Sequence, residues 1–349
     1  QTTPEAVEEL DVDLISGTGD RLAFLDDLEQ AVRGKQQVHV DAVMSRRSFE
    51  FLPAGGLAGR TRCMLKVEDG CVNFCTYCAI PYARGPVRSL PLEQAVSEAR
   101  RMGSEGYREI VLTGIEISSW GRDLKEGQSL IDLVEAVCAA ASLRVRLGSL
   151  EPRTVTEAFC LRAAKLPNLC PHFHLSLQSG CDATLKRMNR KYDTARYLTS
   201  CQLLRAHFDH PAITTDLICG FPGETEAEFA ATLDFLRRAN FSSMHIFPYS
   251  RRSGTPACDM PGQVSNAEKE ARVHRAAQVA AEMEAEYLAH YIGKTLPVLF
   301  EEEKEELWRG HAPNYVEVRC SGNNLHNELR AVFIESAENG ALYGKLVEA

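Results

Sequence analysis

Between residues 62 and 291 the chain alternates two hydrophobic patterns. Short runs rich in β-branched and apolar residues, CMLKV, EIVLTG, RVRLGSL, HFHLSL, AITTDLICG and SMHIFPYS, are separated by longer stretches with helical spacing of apolar positions. The runs predict six strands, and the longer stretches predict helices at 91–104, 130–140, 155–164, 194–208, 224–238 and 266–291. Strand and helix in strict alternation require parallel pairing with right-handed crossovers. The expected fold is therefore α/β, a partial (β/α)6 barrel, with its chemistry at the C-terminal ends of the strands. The segments leaving those ends are a cysteine-rich loop and then TGIEISSWGRD, GSLEPR, LQSGC, CGFPGET and FPYSRRSGT.

The pattern changes on either side. After Gly293 five short alternating runs, TLPVLFE, LWRGHA, YVEVRC, LRAVFIE and ALYGKLVE, fall within sixty residues and predict a small antiparallel β-barrel of the kind that binds oligonucleotides. Before residue 58 there is one strand-like run, VDLIS, and a helical pattern with Leu22, Leu25, Leu28 and Val32 on one face. PAGGLAG, residues 53–59, reads as a Gly-rich joint. The expected domains are residues 1–58, 59–291 and 292–349.

Composition narrows the class. The chain has 349 residues, 44% hydrophobic and 25% charged, enough to bury a sizeable core. Without an 18-residue apolar run or a signal-peptide core, it reads as a cytoplasmic protein with no membrane segment. Twelve cysteines are spread along the chain, and Cys138, Cys160 and Cys201 fall in helix-like apolar patterns that predict buried thiols. A net charge of −9 gives no general attraction to polyanions, so nucleic acid would need a local basic patch. The C-terminal module does not supply one: from residue 292 it has six Lys/Arg against ten Asp/Glu. LKRMNRKY, with Lys186, Arg187, Arg190 and Lys191, and SRRSG, with Arg251 and Arg252, are the candidate RNA contacts.

GCVNFCTYC carries the strongest chemical signal. Cys71, Cys75 and Cys78 form a CxxxCxxC triplet with no neighbouring Cys or His to complete a four-ligand zinc site. Three thiolates can hold three irons of a [4Fe–4S] cluster and leave the fourth open to a small molecule. Gly220 and Gly223 of GFPGE match neither a P-loop nor a dinucleotide fingerprint and read as a turn before a helix.

These residues, with KVEDGCVNFCTYCAIPYARGPVRS, IVLTGIEISSWGRDL, LGSLEP, LCPHFHLSLQSGCDATLKRMNRKY, AITTDLICGFPGETEAEF and HIFPYSRRSGTPA, resemble the radical S-adenosylmethionine (SAM) methylthiotransferases over some 230 residues. IPYARG and LKRMNRKY are most similar to the branch acting on N6-threonylcarbamoyladenosine in tRNA. The resemblance implies a transferase with a [4Fe–4S] cluster on Cys71, Cys75 and Cys78 and SAM on the open iron. A 5′-deoxyadenosyl radical would remove hydrogen from C2 of the adenine next to the anticodon, where a methylsulfur group takes its place. It further implies SAM contacts from Tyr77, Gly114, Glu116, Ser149, Glu151, Gln178, Asp216 and Phe247. The terminal module resembles a TRAM domain, in which Arg309 and Lys345 are candidate RNA contacts. The implied partners are the tRNA anticodon stem-loop and a reductant such as a flavodoxin or ferredoxin, with the chain a monomer.

The family's N-terminal domain carries three further cysteines on a second [4Fe–4S] cluster, associated with sulfur delivery, and residues 1–58 hold no cysteine. The resemblance thus implies a remnant of that domain, a second cluster in the full-length protein only, and SAM cleavage without sulfur insertion by this polypeptide. Cys63 lies outside the ligand positions and is expected in the core. Two other readings are methylthiolation of a ribosomal-protein aspartate and a non-catalytic, metal-stabilised RNA-binding protein.

Overall fold

The computed structural model describes residues 7, 10–32, 34–53 and 59–347. PAGGLAG and QTTPEAV lie largely outside the described residues. The N-terminal part is a parallel pair, β1 (Leu14–Ser16) with β2 (Gln37–His39), linked through a helix, Arg21–Gln30. Leu22, Leu25 and Leu28 on that helix, and Val32 beyond it, are exposed. Thr18 ties this part to the body by donating its hydroxyl to Ala83 O at 2.5 Å.

The six predicted strands all form, as β3 (Arg62–Lys66), then β6 (Glu109–Thr113), β7 (Arg144–Leu147), β8 (His172–His174), β9 (Ala212–Cys219) and β10 (Ser243–Pro248); a short antiparallel pair, β4 (Glu68–Asp69) with β5 (Arg88–Ser89), flanks the cysteine loop. Pairing is parallel in two halves, β3-β6-β7 and β8-β9-β10. The halves meet at a seam held by two isolated bridges, Val145 with Leu169 and Leu150 with Leu175.

β9 shows how the sequence sets the two faces. Ile213, Thr215, Leu217 and Cys219 are buried, whereas Thr214, Asp216 and Ile218, which alternate with them on the other face, are partly exposed. The outer helices bury apolar stripes against that sheet; Leu130–Ala140 and Glu226–Ala239 both open with capping boxes, Ser129 with Asp132 and Thr225 with Glu228. Cys63, Cys138, Cys160 and Cys201 are buried in the core. GFPGE is a turn before the Glu226–Ala239 helix, with Gly220 N donating to Glu224 Oε2 at 2.7 Å.

The C-terminal strands, β11 (Thr295–Lys304), β12 (Leu307–His311), β13 (Glu317–Cys320), β14 (Leu329–Glu338) and β15 (Ala341–Leu346), close a barrel in the order β11-β12-β13-β15-β14. Closure is parallel between β13 and β15, where the sequence pattern alone predicts antiparallel pairing throughout. This barrel docks on the N-terminal ends of β3, β6 and β7. Arg62 reaches Glu301 and His311, Arg144 donates to His311 O at 3.2 Å, and Arg146 donates to Pro313 O at 2.8 Å. Glu109, fully buried, accepts from Arg146 at 2.8 and 3.1 Å and lies 2.9 Å from Arg144. Burial works to raise the Glu109 carboxyl, but Arg146, Arg144 and Arg62 outweigh it and hold the group below its ordinary range. Among the described residues no helix is long and apolar enough to cross a membrane.

Candidate functional site

The cysteine loop leaves β4 through Gly70, whose φ of +91° and position, with a built Cβ 2.1 Å from Pro86 O, exclude any side chain. Cys71 N donates to Gly85 O at 3.0 Å, and Cys78 N donates to Cys75 O at 2.9 Å. Between them the loop is fastened to a distant segment. Thr76 donates from N to Met188 O at 3.1 Å and from Oγ1 to Arg187 O at 2.9 Å. The Asn189 amide donates to Asn73 O and Phe74 O at 3.3 and 2.8 Å.

This fold brings Cys71, Cys75 and Cys78 into one cavity of about 140 Å³, lined also by Tyr77, Glu116, Ser149, Glu151 and Arg190. Burial pushes the Cys71 thiol up to about 11 and raises Cys78 as well, while Arg252 and Arg190 act against the shift at Cys78. A metal bound here must displace those protons. Arg190 offers a compensating charge: its Nη1 lies 3.3 Å from Cys75 Sγ and 3.5 Å from the Tyr77 hydroxyl.

Two carboxylates stand beside the thiols. Glu116 accepts from the Ser119 hydroxyl at Oε2, while Oε1 is buried without a partner. Burial raises its carboxyl. Glu68 accepts the Glu116 N–H at 2.7 Å, and burial pushes its carboxyl up to about 8. A Cβ at Gly114 would come 2.9 Å from Glu68 Oε2, so the glycine admits this buried acid. Because folding favours protonated Glu68, its stabilising contribution is complete below the unfolded value near 4.5 and is lost as pH rises through about 8. Glu68→Gln is expected to flatten the fall in stability between about pH 4.5 and 8, by up to ~1.4 kcal/mol per pH unit, measured by denaturant unfolding at each pH.

Of the residues expected to meet SAM, Tyr77, Glu116, Ser149 and Glu151 share the thiol cavity. Glu151 is engaged by Arg153, at 2.9 Å to Oε1. Gln178 is buried, at φ +70°, and its backbone pairs with β9 through Asp216 O and Ile218 N. Asp216 lies elsewhere, between His174 and His245 in the barrel interior, and Phe247 is half exposed at the end of β10.

The basic motif divides. Lys186, Lys191, Arg251 and Arg252 are exposed, Arg251 donating to Cys258 O at 2.7 Å. Arg187 is held by Glu228 at 2.8 and 3.0 Å, and Arg190 points into the thiol cavity, so neither stands free to meet phosphate as the charge run suggests. Asn189 and Arg190 are site residues that charge counting misses. On the C-terminal barrel Arg309 pairs with Glu305 and Lys345 with Glu335.

The donor set fits a [4Fe–4S] cluster with SAM: three convergent thiols, a cation on one of them, and an unpartnered carboxylate oxygen suited to an ammonium group. Residues 65–236 match the Radical SAM superfamily. The chain is 36% identical over 330 residues to the threonylcarbamoyladenosine tRNA methylthiotransferase MtaB of Bacillus subtilis, covering 92% of this chain and 73% of that protein. It is 38% identical over 346 residues to the protein of the same name from Thermotoga maritima, covering 98% and 78%. A tRNA-2-methylthio-N(6)-dimethylallyladenosine synthase of Maricaulis maris is 34% identical over 345 residues, covering 96% and 76%.

Proposed function

The chain belongs to the radical SAM methylthiotransferase family, and from that premise we propose that it converts N6-threonylcarbamoyladenosine next to the tRNA anticodon into its 2-methylthio derivative. It is a transferase whose cofactors are a [4Fe–4S] cluster and SAM. The observation that carries the radical reading is the convergence of three thiols and the unpartnered Glu116 Oε1 on one cavity. The threonylcarbamoyl substrate is supported by the names of the two relatives above 35% identity.

A cluster held by Cys71, Cys75 and Cys78 would supply one-electron reduction of SAM, the radical chemistry of this family. The protein binds and orients. Cys71, Cys75 and Cys78 would hold iron, Glu116 would accept from the SAM amino group, and Tyr77 would face its adenine, all three sets lining one cavity. Lys186, Lys191, Arg251 and Arg252 neutralise anticodon-stem phosphates, with affinity that falls as salt rises. Arg190 acts through Cys75: its N–H towards the sulfur stabilises thiolate charge and sets the ease of reduction. Arg190→Met is expected to retain iron, shift the cluster's midpoint potential downwards and slow SAM cleavage ~10- to 100-fold, the scale of outer-shell changes. Electrochemical titration with product counting checks both effects.

The substrate is tested by reconstituting the cluster anaerobically, reducing it and counting 5′-deoxyadenosine with tRNA carrying threonylcarbamoyladenosine, dimethylallyladenosine or unmodified adenosine at that position. Stimulation by the first alone supports the proposal. Equal or greater stimulation by the dimethylallyl form overturns it.

A further inference from the structure

Below the thiol cavity, and sharing Ser149 with it, an open cleft of about 410 Å³ lies between the strands and the C-terminal barrel. Three strands present polar side chains to this space in register. On β8 and β9, His174 pairs with Thr214; on β9 and β10, Asp216 pairs with His245. His174 and His245 line this space, and Asp216, on the same face of β9 as Thr214, lies between the two imidazoles.

Their geometry is that of a ligand set. His174 Nε2 lies 3.3 Å from Asp216 Oδ2, and His245 Nδ1 lies 3.2 Å from Asp216 Oδ1. All three ligand atoms fall within 4.8 Å of one another. Ligands about 2.05 Å from a tetrahedral ion stand about 3.3 Å apart; each imidazole nitrogen lies at about that distance from a different oxygen of Asp216, so a turn of the carboxylate, or an ion held by both its oxygens, brings the three groups into one shell. The first imidazole is also held as metal-binding histidines are. Thr214 Oγ1 lies 3.0 Å from His174 Nδ1 and 3.2 Å from His172 Nε2, fixing the ring so that Nε2 faces the carboxylate.

We propose that His174, Asp216 and His245 bind a divalent transition-metal ion of the zinc class within the barrel, separately from the three thiols. Two imidazoles and a carboxylate favour such an ion over magnesium or calcium, which prefer all-oxygen shells. Three protein ligands leave a position for an oxygen donor from water or from a ligand in the cavity. The set is accessible from outside through His245, whose side chain is 70% exposed, so the ion can exchange without unfolding.

The test uses untagged chain with its cluster reconstituted, equilibrated with buffered Zn²⁺ and analysed for zinc and iron. X-ray absorption at the zinc edge reports the ligand type. The expected result is one zinc per chain with nitrogen and oxygen neighbours at ~2.0–2.2 Å and no sulfur at ~2.3 Å. His245→Gln and Asp216→Asn should each weaken zinc binding more than ~10-fold while iron content stays unchanged. The exposed position of His245 makes its variant the one least able to disturb folding. A sulfur shell would show capture by the cysteines and overturn the proposal, as would zinc retention by both variants at wild-type affinity or no stoichiometric zinc at all. The readout needs no tRNA, so its failure leaves the substrate assignment standing.

Discussion

Replacing Cys75 with alanine yields a folded chain that holds no [4Fe–4S] cluster and forms 5′-deoxyadenosine at background level. Cys75 is the buried member of the triplet, the one approached by Arg190, and its neighbour Thr76 is hydrogen-bonded to residues 187 and 188. Two thiolates and an arginine cannot hold three irons, so the loss is not graded. Cys63→Ala is the control. Cys63 sits on β3 with its thiol donating to Glu109 O at 3.4 Å, and burial pushes it up to about 12, so it is an inert core thiol. That variant is expected to keep its iron and its product while losing some stability. Iron analysis, the cluster's visible absorption and product counting separate the two; iron retained at full level in Cys75→Ala would sink the assignment.

The second large effect lies at the other end of the strands. Glu109→Ala leaves Arg146 and Arg144 without their shared carboxylate where their side chains are 3% and 11% exposed. An uncompensated buried charge costs ~3–5 kcal/mol, measured as a lower denaturant midpoint. The effect should extend to the C-terminal barrel, because Arg146 also donates to Pro313 O and stacks over Tyr315 at 4.6 Å. Exchanging Glu109 and Arg146 together for Leu and Met should cost less than Glu109→Ala, since it leaves only Arg144 without its partner. A midpoint for Glu109→Ala within error of wild type would show that the cluster contributes little.

Much of this architecture was legible because strands buried beneath helices need β-branched and apolar residues whatever their neighbours, and those runs stand out along the chain. The cysteine triplet was legible for a similar reason: ligands on one short loop must be close in sequence. Arg190 was not. Its partner Cys75 is 115 positions away, and a basic residue within LKRMNRKY looks the same in sequence whether it faces water or sulfur. Asn189, bracing the cysteine loop at positive φ, was hidden by its position inside a charged run. Asp216 was placed by motif beside SAM, but strand register turns it to two histidines on neighbouring strands, a relation no single segment displays. Arg187 was read as an RNA contact because its carboxylate partner, Glu228, lies 41 residues later, in the first turn of another helix.

The seam between β7 and β8 is joined by isolated bridges where the rest of the barrel has ladders. Val145 N to Asn168 O, Cys170 N to Val145 O, Leu150 N to His174 O and Ser176 N to Leu150 O are the backbone bonds that clasp one half-sheet to the other. Elsewhere the ladders are continuous, six residue pairs between β9 and β10 and five between β3 and β6. The thiol cavity straddles that seam: the cysteines and Glu116 come from one half, Ser176 and Arg190 from the other, and Thr76, Asn189 and Arg190 tie the two together across it. The spacing of the thiols to Arg190 is therefore set by how the two half-sheets are clasped, and seam and cavity form one structural unit.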